Sequence, residues 1–271
     1  MLSDRPDEAY QGWGLTRLDN WRAIAPAKNS VDERPQGHGA FRQGKIYRSA
    51  KVMPLHAFSE CSSIHAAGAR LDYLNGLVGQ ADTLVLRVTD EFGSTWREVS
   101  VVDADLPETP AANFTFTLDL LAVEPRRFGD PNEDTTGLPT ESGGVEFPLT
   151  FPIDFGEIGD LGRLTLTNTG TADAWPRLIA RGGLGSGFVA EEVGTGRVIE
   201  LARTILIGSE VVIDFRTGTA IVDGGPTVSG QMIRRDWWSV PPGGSTTIQF
   251  TVRGEGFGTP TLRGELAPAF W

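Results

Sequence analysis

The sequence holds a single cysteine, Cys61, and only three histidines. One thiol cannot build an internal disulfide framework, so the fold must rest on packing or on oligomerisation. Positive charge is also short: 24 Lys and Arg stand against 35 Asp and Glu, a formal net charge of −11. Tracking phosphates or anionic lipids needs clustered cations, which argues against sequence-specific nucleic-acid binding. No apolar run approaches the ~20 residues of a membrane span, so membrane insertion is not expected. The opening MLSDRPDEAYQGWG lacks the apolar run of a signal peptide, and a protein soluble when made is expected.

Long helical periodicities are scarce too. In their place, 34 Gly and 17 Pro punctuate short apolar alternations across 271 residues. That composition predicts an all-β protein with many turns, long enough for two domains. The opening third is irregular, with Tyr10, Trp13 and Trp21 among polar residues, and 44–58 reads as extended. One helix is expected over 62–79, where Ile64, Ala67, Leu71, Leu74 and Leu77 or Val78 recur at spacings of three and four. Ser62 or Ser63 can cap its start and Gly79 can end it. TLVLRVTD, TWREVSVVDADL and NFTFTLDLLAVEP then alternate as three antiparallel strands, with Phe114, Phe116, Leu118 and Leu120 facing the core. The polar, Gly- and Pro-rich stretch RRFGDPNEDTTGLPTESGG has no apolar periodicity and reads as a linker. Beyond it every element looks like a strand, including a hairpin in EVVIDFRTGTAIVDG around Arg216-Thr217-Gly218. Strands at this spacing predict a sandwich. The expected division is 1–126, a linker at 127–144, and 145–271.

Several constellations carry potential chemistry. HAFSECSSIH brings together His56, Cys61 and His65, material for zinc or a thiolate nucleophile. Structural zinc sites take paired CxxC or HxxxH elements, and no second half is present, so the reading is a packed cysteine and two ordinary histidines. Gly185, Gly187 and Ala190 match the spacing of a dinucleotide-binding GxGxxA, but strand-like sequence follows where a helix would be needed, so this is a turn. The acidic GDPNED at 129–134 lacks the distal bidentate glutamate of an EF-hand loop and reads as solvated linker. No carboxylate pair stands out for acid/base work. No enzymatic activity, catalytic residue, metal or cofactor is expected.

In the second half, five ordered segments point to a family: FPLTFPIDFG at 147–156, LTNTGTADAWPRLIARG at 166–182, GSEVVIDFRTGTAIVDG at 208–224, RRDWWSVPPGGSTTIQF at 234–250, and the terminal APAFW. Together they resemble the distal tail, or minor tail, proteins of long-tailed siphophages, with the siphovirus-type tail component domain. RPQGHGAFRQGKIYRSAKV at 34–52 looks like the family's segment before its first strands. The resemblance implies an N-terminal split barrel with one helix, akin to tail-tube proteins, and a C-terminal β-sandwich of galectin-like shape. It implies a homo-hexameric ring in the virion tail tip, assembled in the host cytoplasm, whose partners are the tail tube protein and the tip or baseplate hub and whose bore lets DNA pass. Acidic residues facing that bore would keep DNA from sticking.

RDWWSVPPGG at 235–244 places Trp237 beside Trp238, and in a strand their indoles would face opposite ways. One reading puts one indole in the core and the other over the Pro241–Gly244 turn or against the chain end. The alternative makes the second indole a stacking platform, and the protein a carbohydrate-binding module for host cell-wall glycans. Trp175, Trp237, Trp238, Phe270 and Trp271 are therefore the candidate structural, glycan-contact or partner-contact residues.

Overall fold

The computed structural model describes residues 12–28, 33–41, 44–80, 82–109, 111–140 and 161–271. The segment 147–156 and Tyr10 lie outside the described residues. The chain divides into two compact units, residues 1–127 with Trp271, and residues 128–270. Among the described residues the architecture is all-β apart from one long helix and a single 3-10 turn.

In the first unit, strands β1 (Trp13–Leu18) and β2 (Lys51–Glu60) precede helix α1 (Ile64–Gln80). Strands β3 (Leu84–Asp90), β4 (Gly93–Asp105) and β5 (Asn113–Ala122) follow. The antiparallel order is β1-β2-β5-β4, with β3 paired to β4. Strand β4 serves two partners in succession: residues 93–99 pair with β3, and the part from Ser100 to Asp105 pairs with β5. The helix starts where expected because the Ser63 hydroxyl accepts the Ala66 amide at 3.2 Å. It buries Ala67, Leu71 and Leu74 in one core with Met53, Leu55, Phe114, Phe116, Leu118 and Leu120 from the strands. Alternation along β2 and β5 sends every second residue to that core and the rest to the opposite sheet face.

Buried charge ties this unit's irregular segments together. Arg97 is 1% exposed and donates to the carbonyls of Trp21 at 2.7 Å, Pro125 at 3.1 Å and Arg126 at 3.3 Å and to the Met53 sulfur at 3.0 Å. Lys51 is 5% exposed and donates to the Ala23 carbonyl. Burial, then the charges of Arg97 and Arg127, pushes the Lys51 amine down to about 8. Burial and Arg127 likewise lower Arg97 to about 10.

The second unit holds two five-stranded antiparallel sheets. Its strands begin with β6 (Arg127–Phe128, spanning the boundary), β7 (Asn132–Thr136), β8 (Arg163–Thr167) and β9 (Arg177–Leu184). Next come β10 (Phe188–Glu192), β11 (Arg197–Leu201), β12 (Glu210–Asp214) and β13 (Thr219–Val222). The chain ends through β14 (Met232–Arg235), β15 (Ser245–Val252), β16 (Gly256–Leu266) and β17 (Ala269–Phe270). One sheet runs β14-β11-β10-β15-β8 and the other β13-β12-β9-β16-β7, and the short β6 and β17 belong to neither. Leu164, Leu178, Phe188, Ile199, Ile213 and Phe250 are fully buried in this unit.

Two details differ from the sequence reading. Residues 132–136, expected within a linker, form a strand paired with β16. Its Asn132 and Asp134 side chains reach the neighbouring strand: Asn132 accepts the Thr167 amide at 3.1 Å, and Asp134 accepts the Thr165 amide at 2.7 Å. Polar groups doing the work of a backbone ladder leave no apolar alternation to read. The hairpin in 208–224 has a four-residue connection, Phe215 to Gly218, in which Asp214 accepts the amides of Arg216 and Thr217. Gly218 sits at φ 67°, a conformation that suits glycine.

Candidate functional site

The aromatic residues singled out in the sequence fall into different environments. Trp238 is 3% exposed, and its ring meets Phe215 edge-on at 4.6 Å between centroids. Trp237 is half-buried and also meets Phe215 edge-on, at 5.3 Å. A Cβ on Gly218 would lie 3.7 Å from the Trp237 ring, so this indole covers the β12–β13 hairpin rather than the Pro241–Gly244 turn or the chain end. The reason is Phe215, an aromatic ring that both indoles contact. Trp175 and Phe270 are half-buried, and Trp271 is 42% exposed. Within the first unit, Arg127 donates to the Trp271 carbonyl at 3.0 Å. Within the second, Phe270 lies over Gly129.

The Pro241–Gly244 turn is organised by a residue the sequence did not advertise. Gly244 donates to Pro241 at 3.0 Å, and Gly243 takes φ 67°, as a type II turn requires after a proline. Asn168, fully buried, donates its side-chain amide to the carbonyls of Ala172 at 2.8 Å, Val240 at 2.9 Å and Pro241 at 3.2 Å. Its side-chain oxygen accepts the Gly170 amide at 3.0 Å. The Asn168 backbone also pairs with Gly243 and Gly244, at 2.9 Å each. LTNTGTADAW and SVPPGG, two of the segments that carry the family resemblance, are thus one clasp built on Asn168. Gly170 is part of it, because a Cβ there would collide with the Ala269 carbonyl.

The sheet face of the first unit that points away from the helix gathers acids. Asp103 stands directly opposite Asp119 in the β4–β5 register, and Asp105 opposite Thr117. Glu60 pairs with Asn113 on the same face. Asp19, after β1, accepts from Arg17 at 2.9 Å and contacts His56 at 3.3 Å, while the other His56 nitrogen meets the Thr117 hydroxyl at 3.0 Å. Like charges facing each other across a ladder cost stability, so the Asp103–Asp119 pair is kept against a local penalty.

The other constellations do not converge. His56 engages Arg17, Asp19 and Thr117, whereas Cys61 lies 3.4 Å from the Ser59 hydroxyl. Among the described residues no group of three or more His, Cys, Asp or Glu is placed to hold a metal ion. Gly185 and Gly187 lie in the β9–β10 turn, and strand β10 follows where a dinucleotide would need a helix. Two open clefts are lined without tryptophan: one of about 530 Å3 in the first unit between Phe58 and Pro107, and one of about 470 Å3 in the second, walled by Arg181, Ser209, Glu210 and Asp223.

No protein-family model and no curated protein matches the sequence. Solved structures do match it. The Dit protein of phage SPP1, described as a paradigm of the hub adsorption apparatus in phages infecting Gram-positive bacteria, superposes with a TM-score of 0.62 at 12% identity, covering 96% of this chain and 94% of that one. A chain of the phage P2 baseplate in its activated conformation with Ca gives 0.58 at 9% identity, covering 95% and 90%. The same baseplate with Sr gives 0.56 at 9% identity, covering 93% and 90%. At these identities the likeness is one of fold, and it runs through nearly the whole of each chain.

Proposed function

We propose that this chain is a structural protein of a long-tailed phage tail tip, a distal tail protein that forms a hexameric ring between the tail tube and the tip or baseplate hub. The carrying observation is the fold shared with SPP1 Dit across 96% of this chain and 94% of that one, because a two-unit architecture matched from end to end constrains far more than one domain would. In the ring, the first unit's helix-free sheet face lines the bore. Its carboxylates Asp19, Glu60, Asp103, Asp105 and Asp119 repel the phosphate backbone, and DNA passes without binding. The units' sheet edges meet copies of themselves or tail partners, which removes open edges from solvent. No observation favours the carbohydrate-binding reading, since Trp238 is buried and Trp237 is committed to Phe215.

Electron microscopy and mass photometry of the purified full-length chain test the proposal. Closed six-fold rings with a central bore are expected. A chain that stays monomeric at micromolar concentration and does not join tube protein would overturn it.

A further inference from the structure

We infer that the segment between β1 and β2 is a docking arm that lies on a second copy of this chain, an inference that rests on the ring reading and names one of its interfaces. Its described parts form an antiparallel ribbon in two stretches, 26–28 with 47–49 and 33–34 with 39–40. Lys28 donates to Tyr47 and Ser49 to Pro26, each at 2.9 Å, and nearer the tip Arg34 donates to Gly39 at 3.1 Å. Isolated bridges join Ala27 to Arg48 and Glu33 to Ala40. A two-stranded ribbon on its own is marginal in water and needs a surface to pack on.

The ribbon's side chains show what kind of surface that is. Phe41 is 59% exposed, Ile46 51% and Tyr47 61%, with Ile24 at the ribbon's root at 57%. Cations accompany the rings, Arg34 over Phe41 and Lys45 over Tyr47, each 5.9 Å from the centroid. Residues 26–49 hold five Lys or Arg and two acids, which leaves 19 Lys or Arg and 33 acids in the rest of the chain. A basic, aromatic ribbon on an otherwise strongly acidic chain is complementary to another copy of that chain. Aliphatic groups such as Ile24 and Ile46 find contact on a protein surface and none on a phosphate backbone, which favours a second copy over a nucleic acid.

The test compares full-length wild type with Phe41→Ser/Tyr47→Ser and with Arg34→Glu/Lys45→Glu, by mass photometry across protein and salt concentration. Both variants are expected to raise the concentration at which rings form by about tenfold or more, with the monomer's melting temperature unchanged. In a mixture of light and heavy isotope-labelled wild type, carboxylate-to-amine cross-linking is expected to join Lys45 to an acid of the other copy. Rings as stable in both variants as in wild type would overturn the arm and leave the ring standing. Loss in both variants of single-stranded DNA binding, with rings intact, would assign the arm to nucleic acid and overturn it too. A wild type that never forms rings would overturn the ring reading and this inference together.

Discussion

At the scale of single residues, Asn168 carries the second unit's most demanding hydrogen-bond set. Two buried carbonyls, a third that is part-buried, and one buried amide depend on its carboxamide. Replacing it with alanine leaves them unsatisfied, and Asn168→Ala is expected to cost about 3 kcal/mol. Asn168→Asp keeps the volume but turns a donor toward three carbonyls into an acceptor, so it should melt lower still at neutral pH. Thermal unfolding of the two variants checks the order. Lys51 offers a pH-dependent counterpart. Its folded value of about 8 lies below the ordinary lysine value of 10.5, so the fold disfavours the proton. That penalty is fully present below pH 8 and is relieved as pH rises through 8 toward 10.5. The neutral amine can still donate to Ala23. Lys51→Met lacks this titration, so the melting temperature of wild type minus that of the variant should climb by several degrees between pH 7 and pH 10. A difference independent of pH would contradict the assignment.

At the scale of elements, the reach of sequence reading depended on whether burial alternates. Helix α1 and strands β2, β4 and β5 were legible because every apolar residue that fixes their orientation sits at a period of 3.6 or 2. Strand β7 was not, because its inward groups are Asn132 and Asp134, bound to the amides of Thr167 and Thr165. The tryptophan pair was half legible. Adjacent indoles must diverge, but the ring that both contact is Phe215, just after β12 and more than twenty residues away in sequence. The clasp at Asn168 was hidden for the same reason, since a lone asparagine before a turn gives no sign of carbonyls 72 and 73 residues away. The acid face belongs to this scale as well, because strand register alone opposes Asp103 to Asp119. Asp119→Asn should raise stability by about 0.5 kcal/mol at low ionic strength, with the gain fading as salt screens the pair. In phage particles carrying Asp103→Lys with Asp119→Lys, tails should assemble while DNA release slows. Unaltered release would remove this face from the bore.

At the scale of the whole molecule, composition foretold an all-β chain, and strands make up nearly all the regular structure of the described residues. The segregation of charge was present in the sequence but had no meaning until residues 26–28 were seen to pair with 47–49, and 33–34 with 39–40. One strand also gives the first unit a property that neither composition nor charge describes. Strand β4 is continuous for 13 residues, from the β3 hairpin beside Phe92 to the acids at its far end. An extended strand has almost no slack, since its rise per residue is already near the limit of the covalent chain. It therefore behaves as a tether rather than a spring. A pull on the hairpin tip would reach Val101 with little loss, and the register shift between Val101 and Asp103 is where the strand has length to give before the acids.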